Sequence, residues 1–203
     1  LVYDERHCHV YESSRGTTRP LAHQLSVWTL DLLLCLLFSI TWSVGVYSAV
    51  PYYYTSTDPY AFLFFLFVLF LDAVLGVALV KVLCDFKDTI GGIVNILAFF
   101  SLLALLLGNY FVRFPQFPSY WRWAWWANPL QHSFGALLIG EISASPLYDH
   151  WDRSTLIAYG YWLEDDAGKN ELVMEKEGFA AVVATWAVVV GIVGIVVLSM
   201  RRQ

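Results

Sequence analysis

Two carboxylates stand where lipid, not water, is the expected solvent. Asp31 lies in LSVWTLDLLLCLLFSITW and Asp72 in FLFFLFVLFLDAVLGVAL. An unpaired charge at such a place is costly, so intramembrane acids mark functional or bundle-facing positions. Asp31, a turn or two into its run, reads as an interfacial carboxylate reaching headgroups or a neighbouring helix. Asp72, nearer the middle, is open to three readings: protonated, facing a wet cavity, or paired with a basic group outside this chain. The other reactive residues are dispersed. His7-Cys8-His9 has adjacent side chains that diverge, which disfavours a metal clip. Cys8, Cys35 and Cys84 form no CxxC pair, and His132 and His150 have no evident nucleophile or ligand beside them. GxxxxGK[ST], GxSxG, HExxH and N-x-[ST] are all absent from the sequence. No catalytic residue and no metal site is assigned, and the chain is expected not to be an enzyme.

The elements that position these residues follow from composition. The 203 residues are 58% hydrophobic and only 14% charged, well below the charge content of a soluble domain, and their net charge is −5. No basic patch suggests a nucleic-acid partner. Apolar runs over 24–48, 60–83, 90–112 and 178–198 are each long enough to cross a hydrocarbon core as a helix. The expected fold is therefore an all-α polytopic membrane protein. It has four transmembrane helices and a long extracellular re-entrant or helical loop, 113–177, before the last. Arginines 6, 15 and 19, lysines 81 and 87, and arginines 201 and 202 flank the runs so that both termini are expected in the cytoplasm. The stretch FPQFPSYWRWAWWANP (114–129) reads as amphipathic indoles at the outer boundary, with prolines bracketing a short helix that dips back toward lipid. On the third run Asn95, Ser101 and Asn109 fall near one another. Leu97, Ser101, Ala104 and Gly108, spaced 4, 3 and 4, share one helical face.

Several segments resemble the transmembrane domain of G-subfamily ABC transporters (ABCG, including the pleiotropic drug resistance type). ERHCHVYESSRG, with Glu5, Arg6 and Glu12, is similar to that family's signature before its third transmembrane helix. Asp31 then falls on the family's acidic position, although Leu33 replaces the proline that often follows there. Gly108, Pro118, Trp121, Trp123, Trp126, Pro129 and Glu141 match the end of the family's fifth helix and the re-entrant stretch after it. Gly160, Trp162, Leu163 and Gly168 match the run before its last helix.

The resemblance implies the C-terminal four-helix part of one transmembrane domain, 1–203, with residues 1–22 as a cytoplasmic coupling segment. Glu5, Arg6 and Glu12 take the coupling role. Leu97, Phe100, Ser101, Ala104, Leu105 and Gly108 line a substrate cavity, and Asn109 and Tyr110 stand where other members carry a leucine plug. ATP and Mg would bind a nucleotide-binding domain outside this chain, and a second transmembrane half would complete the pathway. Outer-loop cysteines used for disulfides in some members are absent here. The function implied is ATP-driven export of amphipathic or lipid-like substrates, most naturally at the plasma membrane. A non-transporting scaffold or partner subunit is the competing reading. An ion-coupled carrier using Asp31 and Asp72 is a third, but it predicts inverted repeats or broken helices that the sequence does not show.

Overall fold

The computed structural model describes residues 20–49, 60–86, 89–109, 111–112, 116–144, 161–164, 170–172 and 176–200. Glu5, Arg6, Glu12, Tyr110, Gly160 and Gly168 lie outside them. The helices are α1 (Pro20–Ala49), α2 (Ala61–Phe86), α3 (Ile90–Leu106), the short α4 (Arg122–Ala127) after a 3-10 turn at Ser119–Trp121, α5 (Pro129–Ala144) and α6 (Lys176–Met200). Three segments have the length and apolarity of a membrane span: Ser26–Ala49, Ala61–Cys84 and Lys176–Gly194. Apolar residues run around most of their circumference because backbone polar groups in lipid must be satisfied within the helix, while side chains are free to face the tails. Leu33, Leu37, Phe38 and Trp42 on α1 and Val188 and Ile192 on α6 are accordingly exposed.

The chain is an all-α membrane protein, as the apolar runs predict. One small feature was not foreseen: Trp162–Glu164 (β1) and Asn170–Leu172 (β2) pair antiparallel, with Trp162 opposite Leu172 and Glu164 opposite Asn170. The intervening DDAGK is rich in turn-forming residues, but three-residue strands leave no alternation long enough to read.

The third run also ends sooner than its apolarity suggests. α3 has 17 residues and stops at Leu106, not near 112. Leu107 caps it in helical geometry, and Asn109 adopts the left-handed region at φ 66°. Asparagine tolerates that region better than most side chains. A Cβ on Gly108 would lie 2.8 Å from the Ala104 carbonyl oxygen, so this turn has room only for glycine.

α2 is the central element, packing against α1, α3, α5 and α6. Its partner face on α1 is built from small residues: Cys35, Ser39 and Ser43, one turn apart, are all buried. Small side chains let two membrane helices approach closely. Ser39 returns its hydroxyl proton to the Cys35 carbonyl at 2.8 Å, which removes the penalty of burying it. The main core forms where α5 wedges between α2 and α6. Val68, Trp125, Ala136, Ile139, Tyr161 and Phe179 close there into one cluster.

α5 fits because it carries glycines where neighbours come nearest. A Cβ on Gly135 would meet the Tyr161 ring at 2.7 Å, and one on Gly140 the Phe64 ring at 3.1 Å. Tyr161 is fully buried and its hydroxyl is fixed to the Gln131 carbonyl at 3.1 Å, so the ring cannot step aside freely. Gly135→Ala is therefore expected to destabilise the protein by about 1–3 kcal/mol through overpacking. Gly91→Ala, whose Cβ meets open space, should be neutral or slightly stabilising. Melting temperatures of the two variants in one detergent or nanodisc preparation compare them directly.

Candidate functional site: the re-entrant helix and the end of the third apolar helix

Two pairs of contacts fix the path of α5. Near its start, the Ser133 hydroxyl donates to Asp72, halfway along α2. Two turns later Gly140 lies against Phe64, close to the beginning of α2. α5 thus runs antiparallel to α2 and climbs from mid-span depth toward the Ala49/Ala61 end of the bundle. At that end the Tyr47 hydroxyl of α1 donates to Glu141. This is a re-entrant helix, entered through the aromatic segment 116–127.

Asn128 forms the hinge between the aromatic segment and α5. Its carboxamide oxygen accepts from the Leu130 amide at 3.2 Å, capping the helix that opens at Pro129. Its Nδ2 donates to the Ala104 carbonyl of α3 at 2.7 Å. That carbonyl belongs to the last turn of α3, which has no intrahelical donor left for it. One side chain therefore satisfies two helix ends.

The aromatic stretch divides into two populations. Tyr120, Trp121, Trp123 and Trp126 are exposed, and Trp121 and Trp123 stack with centroids 6.3 Å apart. Trp125 is wholly buried and meets Trp126 edge-on at 4.8 Å and Tyr161 at 6.2 Å. Three of the four indoles are thus exposed, and the fourth is core.

Between the exposed indoles and α3 lies an apolar cleft of about 280 Å³. Phe100, Leu103, Ala104 and Leu107 form one wall, and Trp121, Trp123 and Ala124 the other. Of the residues that the resemblance implies for a substrate cavity, Phe100 and Ala104 line this cleft. Ser101 and Leu105 are exposed on other sides of α3, and Leu97 is half-buried. Gly108 is buried beneath Asn128 and Ala104, where it serves packing. Asn109 is also fully buried and holds the left-handed turn.

The two intramembrane acids differ. Asp72 faces the bundle, toward Ser133. Asp31 forms an ion pair with Lys81 of α2, and that ammonium also sits 4.1 Å from the centroid of the Trp28 ring. Lys81, read from the sequence as part of a connector, is inside α2. His132 donates through Nε2 to the Trp126 carbonyl at 2.8 Å and packs on Phe179. Asn128, Ser133 and Tyr161 are central here and were not singled out from sequence. Asn-Pro at 128–129 was the one readable signal, as a cap followed by a first-turn proline.

The profile of the ABC-2 type transporter family matches residues 2–142. The chain belongs to that family. ABC transporter G family member 40 of Oryza sativa subsp. japonica is 25% identical over 169 residues, covering 83% of this chain and 11% of its own length. ABC transporter G family member 35 of Arabidopsis thaliana is 24% identical over 130 residues, 62% of this chain and 8% of its own. Pleiotropic drug resistance protein TUR2 of Spirodela polyrhiza is 27% identical over 130 residues, 60% of this chain and 8% of its own. This ABC-2 domain therefore spans about a tenth of the length of the curated relatives it matches. It is a multi-pass membrane protein of that family.

Two expectations follow from the geometry. Ser133→Ala leaves the Asp72 carboxylate without its donor and should cost this ABC-2 domain about 1–3 kcal/mol, whereas Asp72→Asn keeps an acceptor for Ser133 and should cost less. Chemical or thermal unfolding of the two variants in matched lipid separates them. Glu141 is half-buried, and that burial raises its pKa above the ordinary value of 4.5, although the Tyr47 hydrogen bond pulls the other way. A raised folded-state pKa means that the protonated form is the stabilised one. The contribution is complete below pH 4.5 and is lost as pH rises through the higher folded value. Wild-type melting temperature should fall across that window relative to Glu141→Gln, which stays uncharged throughout.

Proposed function

We propose that this ABC-2 domain is the membrane part of an ATP-driven exporter of amphipathic or lipid-like substrates. Hydrolysis takes place on a nucleotide-binding domain outside the 203 residues, with ATP and Mg bound there. A second transmembrane half, from an identical chain or from the same polypeptide, completes the pathway, and the plasma membrane is the expected site. Residues 1–22, with Glu5, Arg6 and Glu12, transmit motion from the nucleotide-binding domain.

The observation that carries the reading is the apolar cleft beside the end of α3. Phe100 and Ala104, on the helix that the resemblance assigns to substrate, meet Trp121 and Trp123 of the re-entrant segment there. Such a wall offers dispersion contacts and ring stacking and almost no hydrogen bonding, which suits an apolar or planar group. Its one amide, on Asn128, is already engaged by Ala104. Asn109 and Tyr110 follow directly and would form the boundary between the cavity and the exit. A polar pair seals through hydrogen bonding and bulk, not as a dry leucine plug does.

The test is substrate-stimulated ATPase and export by the full-length protein in lipid vesicles. Apolar amphiphiles should stimulate hydrolysis. Trp123→Ala should raise the half-stimulating concentration about tenfold, the loss of one aromatic contact. Export that proceeds equally without ATP would sink the proposal.

A further inference from the structure

Three helices meet in one junction close to where α1 begins. The Lys81 ammonium of α2 is paired with the Asp31 carboxylate of α1, and Lys81 Nζ and Asp31 Oδ2 are both buried. The same ammonium lies 4.1 Å from the centroid of the Trp28 ring, three residues before Asp31. The benzo edge of that ring reaches α6, where a Cβ added at Gly191 would stand 3.8 Å from it. Three residues on, Gly194 lets α6 press against α2, since a Cβ there would come within 3.2 Å of Val82. Trp28 therefore touches both α2 and α6 from α1, and Lys81 answers two residues of α1 at once.

A buried ion pair acts on registry more than on stability. Removing one member is strongly destabilising, whereas replacing both by apolar residues of similar volume is often neutral. What the pair forbids is any other seating of α1 on α2, because a slide would leave two uncompensated charges in lipid. The small residues Cys35, Ser39 and Ser43 set no such limit further along α1. Position matters equally. α1 continues directly from the preceding segment, and Trp28 is eight residues from its start at Pro20, about 12 Å of helix. A displacement entering at Pro20 meets Trp28 and Asp31 before it meets the small-residue face.

We propose that Trp28, Asp31 and Lys81 form the joint through which motion entering α1 is passed to α2 and α6. They are positioning residues, acting through their neighbours and not by contact with substrate. The proposal rests on the ATP-driven reading above, in which residues 1–22 deliver that motion. From α2 it continues to α5 through Ser133 and the Phe64–Gly140 contact, and so to the hinge at Asn128.

Two measurements on the full-length protein test it. The first is export of Nile red from lipid vesicles per ATP hydrolysed. Asp31→Leu with Lys81→Met removes both charges together and should keep the melting temperature and basal ATPase, while export per ATP falls about tenfold. Lys81→Arg keeps a cation over Trp28 and should stay within about twofold of wild type. The second is the distance, by pulsed electron paramagnetic resonance in nanodiscs, between noncanonical spin-label residues at exposed Leu30 of α1 and Val193 of α6. Wild type should give one narrow distribution with and without ATP, and the neutral double variant a broadened one. Where that variant melts early, Trp28→Leu, which leaves the ion pair whole, carries the same two expectations. Unchanged export per ATP in the folded variant overturns the proposal. So does an equal fall of export and ATPase, as a merely structural loss would give, or an unbroadened α1–α6 distance. Wild-type vesicles in which ATP drives no export fail the transport reading instead, and the distances then decide the joint alone.

Discussion

A carbonyl oxygen released from a helix at membrane depth must find a donor, because lipid supplies none. At the end of α3 that requirement falls on Ala104, and the Asn128 side chain meets it. Much of the surrounding architecture follows. The aromatic segment must return to α3 to deliver Asn128. The same residue then caps α5, which fixes where the re-entrant helix begins. From that start α5 rises along α2, and its glycines let Phe64 and Tyr161 close over it. The apolar cleft is the space left between the returning segment and the helix it returns to.

Charge placement follows the same economy. Two acids well inside the spans have a partner on a neighbouring helix: Asp31 has Lys81, and Asp72 has Ser133. Both links join α2 to something else, one near the Phe86 end and one halfway along. Ion pairs and hydrogen bonds in a low-dielectric bundle are worth most when both members are already held by packing. Here the small-residue face of α1 and the glycine contacts of α5 provide that packing. The polar links thereby fix the register of helices that lipid-like surfaces alone would let slide.

The spans were legible because solvent dictates them: about twenty apolar residues in a row have few other uses. The resemblance was legible too, since Glu5, Trp121, Pro129 and Glu141 keep their order over most of the chain. What could not be read was the pairing across helices. Lys81 looked like a connector charge because one-dimensional hydropathy places any lysine near a run at its edge; only the approach of α1 shows that it answers Asp31. Trp125 is indistinguishable in sequence from the indoles on either side, and its burial comes from the turn of a six-residue helix. The early stop of α3 was hidden for a related reason. Apolarity continues through Leu107, while the chain direction changes at Gly108 and Asn109, whose special geometry is steric and not hydropathic.

The uneven distribution of packing has a mechanical meaning. α2, α5 and α6 interlock through a continuous core, and α1 lies flush on α2 through its serines. α3, by contrast, buries Ile93 alone among its own residues and touches the others sparingly. The unit therefore has a stiff side and a compliant side, like a door frame with a single light leaf. A push delivered to the frame displaces it as one body, whereas the leaf can tilt while disturbing few contacts, with the Asn128 amide as its latch.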